Sequence, residues 1–212
     1  MKINAEVSLS NRYPTPLLQD LNAQHHFHGF MNNKDLATKG VRVIVKGEGA
    51  HIWDSDGARI LDGMAGLWTT NVGYGNRELA DVAHAQMLEL PFYSTFFRTS
   101  HPAAILLARK LASIAPDGIN QVFYGSSGSE ANDTAIKLIR RYWVLKGQPK
   151  RQIIISRRHA YHGSSIGSGS MGGMSHVHEH TYPVYPGFRH IMDPYWCLVR
   201  HQKNLGSEPL RR

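Results

Sequence analysis

The chain has 212 residues, of which 42% are hydrophobic and 19% are charged, and its formal net charge is +8. This composition is too apolar for a disordered segment and predicts a globular chain of one domain or slightly more. A single cysteine, Cys197, excludes an intrachain disulfide framework, and no apolar run resembles a signal peptide or a membrane-spanning helix, so we expect a cytoplasmic protein.

Short strands separated by turns are predicted before residue 70. The segments Val41–Gly49, His51–Asp54 and Ala58–Asp62 have the apolar alternation of strands, and the turn Ser55–Gly57 joins the last two. Together they predict a small antiparallel ribbon. With a preceding helix, this ribbon forms the first predicted part of the chain, residues 1–70.

After residue 70, helical patterns alternate with apolar strands. Helices are predicted over Asn76–Leu90 and Pro102–Ile114, and strands over Gln121–Gly125 and Gln152–Ser156, with a third helix between the two strands. This alternation is typical of an α/β fold with a mostly parallel sheet, to which we assign residues 71–212.

The third helix follows directly on a predicted strand, within the sequence GSSGSEANDTAIKLIRRYW (Gly125 to Trp143). Ser127 and Glu130 have the spacing of a capping box, in which each side chain pairs with a backbone N–H that the first turn leaves free. Gly147 and Pro149 are expected to end the helix. One apolar face is predicted to pack, and it consists of Ala131, Ala135, Leu138, Tyr142 and Leu145.

The first turn of this helix has the features of a phosphate site. The backbone N–H groups of Gly128 and Ser129, the Ser129 hydroxyl and the positive end of the helix dipole converge there. A capped structural helix explains the same residues about as well, so the motif alone does not establish a ligand. The next strand-to-helix connection, AYHGSSIGSGSMGG (Ala160 to Gly173), is expected at the same edge of the sheet. It supplies Tyr161, whose ring can stack on a flat heterocycle.

Two further patterns have plainer interpretations. Basic residues occur as scattered doublets such as Arg140-Arg141, without a known nucleic-acid-binding module, which favours a solvated surface. The histidine-rich segments His25–His28 and His176–His180 lack a distant second set of ligands, which favours loop histidines over a metal site. We therefore predict no metal, no nucleic-acid partner and no membrane partner.

Five segments resemble, in order, the amino-terminal half of class III pyridoxal-phosphate aminotransferases, and the resemblance spans nearly the whole chain. They are WDSDGARILDGMAGLWTTNVGYG, ELPFYSTFFRTSHP, FYGSSGSEANDTAIKLIRRYW, AYHGSSIGSGSMGGM and HEHTYPVYPGFRHI. The most similar branch contains the ω-amino acid (β-alanine-type) and polyamine–pyruvate transaminases. The resemblance implies a truncated fold-type I transferase, with residues 1–70 in a small α+β domain. Residues 71–212 would form the amino-terminal part of a three-layer large domain that binds the cofactor.

The resemblance implies that five residues contact or support the cofactor, pyridoxal 5′-phosphate. Gly128 and Ser129 would bind its phosphate, and Ser127 would frame them. Tyr161 would stack on the pyridine ring, and His162 would support the ring pocket and Tyr161.

The resemblance also implies a substrate pocket, to which Tyr161 contributes. Leu67 and Trp68 would line this pocket, and Phe96 would reach the pocket of the neighbouring subunit in a homodimer. For Trp68 and Phe96, packing in the core is the plainer alternative, since both are large apolar side chains.

The implied reaction moves an amino group from an amine, diamine or ω-amino acid donor to a keto acid, expected to be pyruvate. The Schiff-base lysine and the carboxylate that pairs with the pyridine nitrogen lie further along the chain in this family, so no catalytic residue is assigned. The resemblance stops after about Pro194–Trp196, which a truncated gene, a frameshift or a partial sequence would each explain. We expect the 212-residue chain to be inactive alone.

The sequence therefore leaves two functional hypotheses of different classes. The chain is the amino-terminal half of an aminotransferase, or it is a non-catalytic remnant that binds a phosphorylated ligand or a partner subunit. A class III racemase, aminomutase or decarboxylase is less favoured, because the GLW and STFF segments resemble the pyruvate transaminases.

Overall fold

The computed structural model describes residues 13–180 and 184–194, and the chain divides into two compact units between Ser100 and His101. Cys197 lies outside the described residues. The predicted domain boundary at residue 70 stays a prediction. Among the residues described, no helix is long and apolar enough to cross a membrane.

The described residues of the first unit form four helical segments and three strands. Its helices are α1 (Thr15–His25), α2 (Asn33–Lys39), the short α3 (Ala65–Trp68) and α4 (Arg77–Glu89), and its strands are β1 (Ile44–Glu48), β2 (His51–Asp54) and β3 (Arg59–Leu61). The second unit contains α5 (Pro102–Ile114), α6 (Gly128–Leu145), β4 (Ile154–Arg157), α7 (Ile166–Met171), α8 (Ser175–His180) and β5 (Phe188–Ile191).

The antiparallel ribbon predicted for the first unit is confirmed. Strand β2 pairs antiparallel with both β1 and β3, so that Ile52 lies between Gly47 and Ile60. Gly57 lies in the turn between β2 and β3 with a φ of +86°, a conformation that glycine adopts without steric cost. The ribbon therefore forms where turn residues separate short apolar runs.

Helices α4 and α5 begin and end within one residue of the predicted positions, because local signals mark their first turns. The Asn76 side chain accepts a hydrogen bond from the Leu79 backbone N–H at 3.1 Å and caps α4. Pro102 occupies the first position of α5, where its missing N–H costs nothing. The His101 ring caps α5 through the Ala104 backbone N–H at 3.4 Å.

The second unit is built around α6 and a parallel strand pair. Strands β4 and β5 pair in parallel, with Ile154 opposite Phe188 and Arg157 opposite Ile191. This pairing agrees with the parallel sheet predicted from the sequence, although β5 was not predicted. Helix α7 packs against α6, β4 and β5. The predicted end of α6 is confirmed, since the helix stops at Leu145 and Gly147 has a φ of +70°.

The strand predicted over Gln121–Gly125 is wrong. Residues 121–125 have no strand conformation, and no segment of 13–180 or 184–194 pairs with them. A strand is stabilised by hydrogen bonds to a neighbouring strand, so an apolar run without a described neighbour does not form one. Instead, the Tyr124 hydroxyl donates a hydrogen bond to the Ala104 carbonyl oxygen at 2.7 Å.

The face of α6 that was predicted to pack is exposed in the described structure. The side chain of Leu138, for example, is 62% exposed. The buried or half-buried side chains lie about two residues earlier, on the opposite side of the helix, and they include Ser129, Asn132, Asp133, Ile136, Arg140 and Trp143. Which face of α6 is buried depends on the element that packs against it. The small residues of α7 allow that helix to approach α6 closely on the side of Asp133. A Cβ added at Gly167 would lie only 2.5 Å from Asp133 Oδ1.

Candidate functional site

The start of α6 has the cap that the sequence predicts. The Ser127 hydroxyl oxygen accepts a hydrogen bond from the Glu130 backbone N–H at 3.1 Å, and Ser127 itself has an extended backbone. The predicted return bond of the capping box, from the Ser127 N–H to the Glu130 carboxylate, is wrong by one residue, because the carboxylate binds Ser126 instead. Glu130 Oε2 accepts from the Ser126 backbone N–H at 2.7 Å and from the Ser126 hydroxyl at 2.6 Å. These two bonds, the hydroxyl first, hold the pKa of Glu130 below its usual value.

Removing the Ser127 hydroxyl tests this cap. We expect Ser127→Ala to lower the free energy of unfolding of the 212-residue polypeptide by about 1 kcal/mol, because the Glu130 N–H loses its partner. Urea denaturation measures the change. Ser113→Ala is the matched control, since the Ser113 hydroxyl bonds the Lys110 carbonyl near the end of α5 and caps no helix start. An equal loss in both variants would show that Ser127 has no special role.

The first turn of α6 presents unpaired donors to open space. The backbone N–H groups of Gly128 and Ser129 have no acceptor inside the helix, because the first turn precedes the i to i−4 pattern. A Cβ added at Gly128 would meet no atom within 4 Å. A ligand can therefore approach this backbone closely, and the helix dipole favours a negatively charged one.

The connection between β4 and α7 lies against this first turn, as the sequence predicts. The Ser164 backbone N–H donates to the Ser129 hydroxyl oxygen at 3.0 Å. Gly163 has a φ of +132°, and a Cβ there would lie 2.5 Å from Ser129 Oγ, so only glycine allows this approach. Because Ser129 Oγ accepts from Ser164, its own O–H is left to donate to a ligand.

Tyr161 and His162 precede this contact in the chain. The Asn132 side chain on α6 donates to the His162 carbonyl oxygen at 2.6 Å and ties the connection to the helix. His162 is half-buried, whereas Tyr161 is 56% exposed. Much of the Tyr161 side chain is thus accessible to a ligand. Motif reading missed Asn132, although its position three residues after Ser129 places it on the same helix face.

The three remaining candidates lie in the first unit, and all are exposed. Leu67 and Trp68 belong to α3, where Trp68 is 81% exposed. Phe96 lies in a turn in which its N–H donates to the Ser94 hydroxyl and its carbonyl accepts from the Thr99 hydroxyl at 2.6 Å. Neither Trp68 nor Phe96 packs in a core formed by the described residues.

Within the part of the chain that the structure describes, no three His, Cys, Asp or Glu side chains are grouped as metal ligands. The rings of His26 and His28 both bond the Asn22 side-chain oxygen. The His178 ring bonds the Gly172 carbonyl oxygen at 2.5 Å.

Known proteins resemble this chain in sequence and in structure. The aminotransferase class-III family model matches residues 32–210. The putrescine–pyruvate aminotransferase of Pseudomonas aeruginosa is 51% identical over 84% of this chain and 39% of its own length. The crystal structure of an (S)-enantioselective ω-transaminase from Thermomicrobium roseum superposes with a TM-score of 0.84 at 44% identity, covering 86% of this chain and 41% of that one. The ω-transaminase from Pseudomonas jessenii in complex with PMP gives a TM-score of 0.82 at 35% identity, over 84% and 39% of the two chains. The chain thus spans about two fifths of the length of these relatives.

Proposed function

The chain belongs to the class III aminotransferases, and from this we propose that it forms part of an enzyme that moves an amino group from a diamine or ω-amino acid to pyruvate. Members of this family depend on pyridoxal phosphate, and the fold is that of fold-type I pyridoxal-phosphate enzymes. The single observation that carries the proposal is the hydrogen bond between Ser129 Oγ and the Ser164 N–H. This bond joins the first turn of α6, where a phosphate can bind, to the β4–α7 connection, which carries the exposed ring of Tyr161.

The residues at this contact fit a phosphorylated heterocycle. The N–H groups of Gly128 and Ser129 and the Ser129 hydroxyl would bind the phosphate, with Ser127 framing the turn through its cap. Tyr161 would stack on the pyridine ring, and His162, held by Asn132, would support that ring pocket. When bound, pyridoxal phosphate supplies the electron sink that amino transfer requires.

The substrates and partners follow from the family. The similar protein from Pseudomonas aeruginosa is named for putrescine and pyruvate, which supports a diamine donor and a pyruvate acceptor. Leu67, Trp68 and Phe96, all exposed in the first unit, would line the substrate pocket, with Phe96 reaching the neighbouring subunit of a homodimer. A cytoplasmic location stays a prediction.

A hybrid enzyme tests the proposed function. In this hybrid, residues 1–194 of the chain are followed by the remaining carboxyl-terminal sequence of the putrescine–pyruvate aminotransferase of Pseudomonas aeruginosa. We expect it to convert pyruvate to alanine in the presence of pyridoxal phosphate and putrescine, and not when the amine is omitted. A folded hybrid that binds pyridoxal phosphate and forms no alanine would contradict the proposal.

The stacking role of Tyr161 predicts an order of substitutions. In the hybrid, Tyr161→Phe is expected to keep the affinity for pyridoxal phosphate, because the ring remains, whereas Tyr161→Ala should weaken it about tenfold. Titration of the apoenzyme, followed by absorbance, measures both. Tyr185→Ala is the control, since Tyr185 is a similarly exposed tyrosine. Equal losses for the phenylalanine and alanine variants would contradict stacking.

A further inference from the structure

The segment α3 has an unusual backbone. Its four residues, Ala65 to Trp68, have φ values of 47°, 60°, 62° and 69°, so they form a left-handed turn. The turn is closed by a hydrogen bond from the Trp68 N–H to the Met64 carbonyl oxygen at 2.8 Å. Only Gly66 adopts this conformation without steric cost, because the other three carry a Cβ. Other interactions must therefore hold the turn in place.

The Asp62 carboxylate supplies these interactions at the start of the turn. Its Oδ1 accepts from the Met64 N–H at 3.1 Å, and its Oδ2 accepts from the Gly66 N–H at 2.8 Å. The Tyr74 hydroxyl donates to the same Oδ2 at 2.6 Å. We call this pair the Asp62–Tyr74 clasp. The hydroxyl is the main cause that holds the pKa of Asp62 below its usual value, and the carboxylate raises the pKa of Tyr74.

The ribbon fixes the Tyr74 end of the clasp. Tyr74 exchanges two backbone hydrogen bonds with Gly49, at 2.8 and 3.0 Å. Its ring lies so close to Gly47 that a Cβ there would be 2.6 Å from the Tyr74 Cγ atom. The position of the hydroxyl is therefore set by the sheet, and through Asp62 the sheet sets the position of the turn.

The clasp bears on the substrate pocket because the turn carries both Leu67 and Trp68. A left-handed backbone points these side chains differently from a right-handed one, so losing the clasp would move both. We propose that Asp62 and Tyr74 are positioning residues that hold Leu67 and Trp68 for the amine donor, and thereby set which size of donor is accepted. The specificity part rests on the proposed function; the positioning part does not.

Amide hydrogen exchange in the 212-residue polypeptide tests the positioning part. Tyr74→Phe keeps the ring packed against Gly47 and removes only the hydroxyl. Because the Asp62 oxygen that binds the Gly66 N–H then loses its second partner, the Gly66 amide should exchange about tenfold faster. The Trp68 amide should also exchange faster, although its hydrogen bond goes to the Met64 carbonyl oxygen and not to Asp62 or Tyr74. The Ile52 amide in the ribbon should be unchanged, and Asp62→Asn should reproduce the pattern if Tyr74→Phe fails to fold. Tyr124→Phe, which loses a hydroxyl bond in the other unit, should leave all three amides unchanged.

Unchanged Gly66 and Trp68 exchange, or equal acceleration at Ile52, would overturn the positioning role. Donor kinetics of the hybrid test the specificity role. With Tyr74→Phe, we expect the KM for putrescine to rise about tenfold relative to the KM for a bulky aromatic amine, with kcat within about twofold. Equal changes for both amines would overturn the specificity role. A hybrid without any transaminase activity would contradict the proposed function instead, and the exchange result would still decide the clasp.

Discussion

The 212-residue polypeptide is expected to produce no alanine from pyruvate when it is incubated with pyridoxal phosphate and putrescine. Amino transfer requires a lysine amine at the cofactor to accept and return a proton. Lys137 lies on α6 and Lys146 directly follows its last residue; they come nine and eighteen residues after Gly128, which places them about 14 and 27 Å along the helix axis from the first turn. Lys146 also lies over the Tyr142 ring, and Lys46 pairs with Glu48 at 2.7 Å.

Borohydride reduction followed by peptide mapping measures whether any lysine is positioned. We expect scattered labelling of surface lysines, each well below one label per chain. In the hybrid, by contrast, one lysine of the added carboxyl-terminal part should be labelled stoichiometrically. A single stoichiometric label within the 212-residue polypeptide, together with amine-dependent alanine formation, would contradict this prediction. If the 212-residue polypeptide binds pyridoxal phosphate through its phosphate and forms no alanine, the result agrees with the alternative that this polypeptide is a non-catalytic remnant that binds a phosphorylated ligand.

Replacing Gly128 by valine is expected to weaken the affinity of the hybrid for pyridoxal phosphate about a hundredfold or more. The valine side chain would occupy the space in which the phosphate meets the N–H groups of Gly128 and Ser129. Losing two charge-assisted hydrogen bonds has an effect of this size. The fold should tolerate the change, because Gly128 has no positive φ and a Cβ there meets no atom within 4 Å.

Two variants serve as controls for Gly128→Val, and cofactor titration measures all three affinities. Gly29→Val is matched to it, since Gly29 also lacks a positive φ and has open space around its Cβ position, yet lies outside the proposed site. It should leave the affinity unchanged. Ser127→Ala removes only the cap and should weaken the affinity about tenfold or less. Equal losses for Gly128→Val and Ser127→Ala would contradict the phosphate role of the first turn.

Local signals made part of the fold predictable. The capping residue Asn76 and the proline Pro102 mark helix starts within a few residues of chain, so α4 and α5 were predicted closely. The strand over Gln121–Gly125 and the unpredicted β5 depend instead on distant pairing partners. An apolar run shows that a segment can form a strand but not which neighbour it has. The exposed face of α6 was mispredicted for the same reason.

The candidate site was predictable to a similar extent. The cap and the first turn of α6 are encoded within four consecutive residues, so their geometry was anticipated except for the Ser126 end of the Glu130 contact. The bond from Asn132 to His162 joins residues thirty positions apart, and that from Tyr74 to Asp62 spans twelve. No spacing rule connects such pairs, and only the folded backbone brings them together.

A titration of the isotopically labelled 212-residue polypeptide with pyridoxine 5′-phosphate measures whether the start of α6 binds the cofactor phosphate. This analogue lacks the aldehyde and does not condense with surface lysines, so amide chemical shifts report only the non-covalent site. We expect saturable shifts at Gly128, Ser129 and Ser164, with none from pyridoxine, which has no phosphate. Saturable binding that leaves the Gly128 and Ser129 amides unshifted, or equal shifts with pyridoxine, would contradict the claim that this helix start binds the cofactor phosphate.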